Sequence, residues 1–130
     1  MSGGAGGVVV SVCVSCRAAD GPDDSRPGAD LLEALRGSEL GGASVRAVQC
    51  LSVCKRPCTV ALTAPGRYTY VFGDVDPVSG VADLLTCIAT YRDQEHGYML
   101  WRERPESLRR GILARIPPLE WQPEDGAHPR

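Results

Sequence analysis

With 130 residues, 43% hydrophobic and 23% charged, the chain has the length of one domain and the composition of an ordinary globular protein. Fourteen basic against sixteen acidic residues leave a formal charge of −2, and the aromatic residues are one Phe, four Tyr and two Trp. That balance excludes an electrostatic footprint for nucleic acid or an anionic membrane, and it leaves few rings for base stacking.

Residues 1–7 read as a flexible glycine-rich lead without a basic residue, and the apolar run behind it is far too short for a signal-peptide core. No stretch approaches the roughly 20 apolar residues of a spanning helix. The expectation is a cytoplasmic protein, where thiols stay reduced and clustered cysteines favour metal or thiol chemistry over structural disulfides. Val8–Val12, almost unbroken in β-branched residues, predicts a buried strand that delivers Cys13-Val14-Ser15-Cys16 at its carboxyl end. A polar loop, Arg17–Gly28, carries Asp20, Asp23, Asp24, Pro22 and Pro27. From Ala29, Leu31, Leu32 and Leu35 share one helical face and Gly37 is the stop. Ser44–Gln49 predicts a second strand, with Val45 and Val48 as its main apolar residues and Ala47 opposite on the pleat.

Thr59–Thr63 predicts a third strand, Pro65-Gly66 a turn and Arg67–Phe72 a fourth strand, together an antiparallel hairpin. Pro77 is suited to open a helix, and Val81, Leu84, Leu85, Ile88 and Tyr91 form its stripe through about Glu95. The order strand, helix, strand, strand, strand, helix predicts an α/β fold of thioredoxin-like type, a small mixed four-stranded sheet over residues 8–96 with its first two strands parallel. Residues 97–121 read as an irregular extension packed on that domain. Within it, Tyr98–Trp101 is extended, Pro105–Leu113 a short helix and Ile116-Pro117-Pro118 extended again. Residues 122–130 read as a disordered tail.

Five of the six cysteines fall in two clusters, Cys13 and Cys16, then Cys50, Cys54 and Cys58. Both follow predicted strands, so two strand ends would build one shared site. Four thiolates, Cys13, Cys16, Cys50 and Cys54, satisfy a [2Fe–2S] cluster with two ligands for each iron. The same four satisfy a tetrahedral zinc site, and spacing alone does not separate the two. A thioredoxin-type dithiol on Cys13 and Cys16 is the third reading. Against it stands the acidic loop Asp20–Asp24, which would raise a thiol pKa. Cys58 is either a further ligand or a packing residue, and Cys87, inside the helical stripe, is a core residue.

Val48-Gln49-Cys50-Leu51-Ser52-Val53-Cys54 resembles the second cysteine pair of thioredoxin-like [2Fe–2S] ferredoxins. More of the chain is similar to an uncharacterised bacterial family described as predicted metal-binding proteins. The segments that carry this are Cys13–Cys16, Cys50–Leu62, Tyr70–Asp74, Trp101–Pro105 and Ala114–Pro118. The first resemblance implies a [2Fe–2S] cofactor. The second implies a redox or metal-dependent partner protein linked to cobalamin biosynthesis, since some members lie near such genes. The sequence departs from the ferredoxin pattern in the close spacing of Cys13 and Cys16 and in the thiol at Cys58.

His96 and His128 have no metal-ligand company in the sequence, and the arginines Arg102, Arg104, Arg109 and Arg110 read as a solvated face or local ion pairs. Lys55-Arg56, between thiolates, would offset the charge of a cluster. No nucleophile elbow or phosphate-binding loop is present. The reading is therefore a non-enzymatic metal-binding or electron-carrier protein.

Overall fold

The computed structural model describes residues 7–14, 26–49, 51, 58–94 and 96–119. The elements are β1 (Val9–Cys13), α1 (Pro27–Arg36), β2 (Ser44–Val48), β3 (Val60–Thr63), β4 (Thr69–Phe72), α2 (Gly80–Asp93), a 3₁₀ turn (Trp101–Glu103), α3 (Glu106–Arg110) and β5 (Ile112–Ile116). They form one five-stranded sheet in the order β2-β1-β3-β4-β5. β1 and β2 are parallel and every other neighbouring pair is antiparallel. The expected α/β order β-α-β-β-β-α is present, with the β3–β4 hairpin as expected.

Strand periodicity divides the sheet into two unlike faces. Val10 and Val12 of β1 stand beside Leu62 and Val60 of β3, which stand beside Tyr70 and Phe72 of β4. These side chains form one buried cluster with Leu31, Leu32 and Leu35 of α1 and Leu84, Ile88 and Tyr91 of α2. Both helices therefore pack on the same face. The alternate residues, Val9, Ser11, Cys13, Ala61 and Val71, belong to the other pleat, which is built from small side chains.

The fifth strand is the main departure from expectation. The helix expected through Leu113 ends at Arg110, because Gly111 packs its Cα against the Gly73 carbonyl and its own carbonyl accepts from Gly73 N–H at 2.7 Å. That contact aligns Ile112–Ile116 along β4, across an irregularity at Val71/Phe72. A run of only five residues, flanked by Gly111 and Pro117, carries no helical or strand signal strong enough to announce this. The segment expected as an extension thus completes the sheet.

Smaller shifts have local causes. Helix α2 opens at Gly80 and not at Pro77, because the Asp76 carboxylate accepts from Val78 N–H and Ser79 N–H, both at 2.8 Å, and holds a turn there first. In Tyr98–Trp101, expected as extended, Leu100 is extended and Trp101 enters the 3₁₀ turn. In β2, Val45 and Ala47 share a face while Val48 lies opposite, since Val10 pairs Val45, Val12 pairs Ala47 and Cys13 pairs Val48. Residues 1–6 and 122–130, expected as flexible ends, lie outside the described residues. No described helix is long and apolar enough to cross a membrane.

Arg67, on the β3–β4 hairpin, ties the sheet to the end of α2. Its Nη1 donates to the carbonyls of Tyr91, Arg92 and Gln94 at 2.7, 2.8 and 2.9 Å. These are helix-end acceptors left without intrahelical partners, and a cation there also complements the helix dipole. Replacing Arg67 with Met keeps much of the stem but removes the donors. Urea unfolding should show a loss of about 2 kcal/mol, in the range for hydrogen bonds to a charged group.

Candidate metal centre

The clustered cysteines owe any common site to the register of three strands. The parallel β1–β2 ladder ends with Cys13 opposite Val48 and continues one step, Val14 N–H donating to the Val48 carbonyl at 3.0 Å. On its other side, Cys13 N–H donates to the Thr59 carbonyl at 3.0 Å. The Cys13 thiol lies 3.8 Å from the Gln49 carbonyl. Gln49 is the residue before Cys50, and Thr59 the residue after Cys58. The chain positions that flank both cysteine clusters therefore meet at one end of the sheet.

Helix α1 begins against the same spot. A Cβ on Gly28 would sit 1.8 Å from the Cys13 carbonyl oxygen and 3.0 Å from its carbonyl carbon, so only glycine allows this approach. The positive end of the ten-residue helix is thereby brought to the backbone of Cys13, where it favours negative charge. Gly28 is a positioning residue that the sequence reading passed over. In the sequence it stands at the end of a polar loop, and nothing in Pro27-Gly28 reveals that a strand end lies against it.

Cys13, Cys58 and Cys87 are the described cysteines, and none is in a disulfide. Cys13 and Cys58 are both buried but belong to different pleats, Cys58 joining the cluster beneath the helices. Burial pushes the Cys58 thiol up to about 11, with the charges of Asp76, Cys13 and Asp30 adding to the effect. A metal ligand must be a thiolate, so without metal Cys58 is a protonated packing thiol. Cys87 is a core residue as expected, with its thiol 3.4 Å from the Met99 sulfur. Burial pushes it up to about 12.

Cys16, Cys50, Cys54 and the Lys55-Arg56 pair lie outside the described residues, as does the acidic loop Asp20–Asp24. Among the described residues, no three His, Cys, Asp or Glu side chains are grouped to hold a metal ion. Arg104, expected on a solvated face, is buried with its guanidinium 6.0 Å from the Tyr70 ring centre. Arg110 makes the expected kind of local ion pair, to Glu106 at 2.9 Å.

Two outcomes follow from this geometry. Gly28→Ala should lower stability by about 2 kcal/mol or more in urea unfolding, because backbone and not a flexible side chain must move. The thiols give metal-free protein a defined alkaline limit. Thiols ionising near 9.0 when unfolded are held protonated to about 11 at Cys58 and about 12 at Cys87 in the fold. In between, the unfolded chain binds fewer protons than the folded one, so their stabilising contribution is complete below pH 9 and is lost as pH rises through those values. Urea titrations from neutral pH upward should show this fall, and Cys58→Ala with Cys87→Ala should flatten it.

No curated protein matches the chain. Among solved structures it is similar to a thioredoxin-like [2Fe–2S] ferredoxin from Aquifex aeolicus, at 16% identity, covering 88% of this chain and 98% of that one, with a TM-score of 0.49. At that level the likeness says nothing of what the present chain binds. A family model spans residues 10–118, from within β1 to just beyond β5, and the chain belongs to that family, described as a protein of unknown function, DUF1636.

Proposed function

We propose that this protein is a small electron carrier that holds a [2Fe–2S] cluster on Cys13, Cys16, Cys50 and Cys54. The observation that carries the reading is the contact between the Cys13 thiol and the Gln49 carbonyl, which brings the first cysteine cluster against the residue that leads into the second. Cys16 is three residues from Cys13 and Cys50 two from Val48, and an extended chain spans at most about 3.5 Å per residue. Both therefore stay within about 11 Å of paired positions in adjacent strands. Cys54 follows Cys50 by four residues, and four soft donors suit iron–sulfur chemistry as they suit zinc.

The described residues that fit such a centre are Cys13 and the backbone around it. Cys13 is held by β2 on one side and β3 on the other, shielded from solvent, and faced by the positive end of α1. Loss of its proton to a metal would exchange a weak thiol donor contact for a bond to the ion. The bound cluster would supply one-electron redox chemistry, while the chain supplies ligands, burial and local charge. Cys58, directed beneath the helices, stays outside the proposed ligand set. A redox or metal-dependent enzyme would be the partner, with cobalamin biosynthesis the setting implied by the sequence resemblance.

Metal and acid-labile sulfide analysis of anaerobically purified protein tests the reading. About two irons and two sulfides per chain, with visible absorption of a brown protein, is the expected result. Serine at position 13, 16, 50 or 54 should abolish that absorption, whereas Cys58→Ala should retain it. One zinc and no sulfide would replace the carrier with a structural or metal-delivery site. A folded, metal-free protein whose activity depends on Cys13 and Cys16 would replace it with a thiol oxidoreductase.

A further inference from the structure

Leu100 and Trp101 are two adjacent large apolar residues left 40% and 63% exposed. They are nevertheless held firmly. The Glu103 carboxylate accepts from Leu100 N–H at 2.8 Å, and Gln94 donates to the same carboxylate at 3.3 Å. Arg109 donates from Nε to the Trp101 carbonyl at 3.0 Å and from Nη2 to the Arg102 carbonyl at 3.1 Å. Its guanidinium also lies 4.4 Å from the centre of the Trp101 ring. An indole this exposed contributes little burial to folding, yet its backbone is fixed from two directions.

The charge around it is one-sided. Residues 102–115 contain five arginines and two glutamates in a chain of formal charge −2. Among the described residues, Arg102 is exposed and in no ion pair, and Arg109 spends its donors on carbonyls. Arg104, 5% exposed, has Nε and Nη1 without a hydrogen-bond partner. Of the two glutamates, Glu106 is paired with Arg110 and Glu103 holds Leu100 and Gln94. On the exposed face beside Trp101 the cations are therefore Arg102 and Arg109, neither of them in an ion pair among the described residues.

We infer that Leu100, Trp101, Arg102 and Arg109 form a docking surface for a protein partner that presents an acidic patch around an apolar pocket for the Trp101 ring. A pre-organised Trp backed by Arg is the composition that anchors protein interfaces, and opposite charge on the partner steers the encounter. Arg102 and Arg109 alone make no basic stripe of the kind that tracks a nucleic-acid backbone. The surface also adjoins the cysteine end of the sheet. Arg109 is two residues from Gly111, whose carbonyl is bonded to Gly73 N–H, and Val75 N–H is bonded to the Cys58 carbonyl at 3.1 Å. A partner seated here would touch the segment that these bonds tie to the cysteine end of the sheet. This rests on the metal reading for what is exchanged, and not for the docking.

The test places a photo-crosslinking amino acid at Arg110, on the rim of the surface, in the full chain expressed in its native cells. The adduct is identified and the captured protein purified for titration against the unmodified chain. The expected partner is acidic. Its affinity should fall at least about tenfold with Trp101→Ala and several-fold with Arg102→Gln or Arg109→Gln. It should weaken further between about 50 and about 300 mM salt. Trp101→Ala should leave the thermal midpoint and the metal content of the chain unchanged. Absence of an adduct that depends on Trp101, an adduct to nucleic acid, or a partner insensitive to both Trp101→Ala and salt would overturn the inference. Wild-type protein that holds neither iron nor sulfide after anaerobic purification, yet shows Trp101-dependent binding, would overturn the metal reading and leave the docking standing.

Discussion

The parallel pairing of Val9–Cys13 with Ser44–Val48 is the constraint on which the rest of the molecule depends. Parallel neighbours run in the same direction, so both strands finish at the same end of the sheet, and the segments that follow them begin side by side. An antiparallel pairing of the same two strands would have sent the cysteine clusters to opposite ends. The requirement for a crossover between parallel strands is met by α1, which returns along the helix-covered face and whose first turn sets Gly28 against Cys13. Strand direction, helix entry and the position of the first thiol are thus one linked arrangement.

Placing both helices on one face has a chemical consequence. Period-two alternation sends Cys58 with Val60 and Leu62 into the apolar cluster, while Cys13 belongs with Ser11 and Ala61. Two thiols at the ends of adjacent strands therefore meet different surroundings. Cys58 is held as a neutral thiol by burial and by the carboxylates of Asp76 and Asp30. Cys13 touches the backbone of β2 at the point where the second cluster begins. Proximity along the chain did not decide these roles; the parity of one residue did.

The segment after α2 is part of this framework and not an ornament on it. The Tyr70 hydroxyl accepts from Met99 N–H at 2.8 Å inside the core, and β5 closes the sheet beside β4. The chain that passes between these two anchors makes the turn on which Trp101 stands. The bond from Gly73 N–H to the Gly111 carbonyl fixes where α3 gives way to β5, and Arg109 of α3 reaches back over the Trp101 ring.

By itself, the sequence determined the element types, since β-branched runs and a leucine stripe have periods that only a strand or a helix can bury. It also marked the cysteines as one question, because five thiols in two short clusters stand out in a chain of ordinary composition. The tertiary structure alone decided β5, for its few residues become a strand only when β4 offers unpaired backbone. It alone decided that Gly28 must lack a side chain, that Arg104 is buried, and that Cys58 and Cys13 fall on different pleats. Each of these depends on which distant backbone lies opposite, and register is a relation between segments that neither segment carries in its own composition.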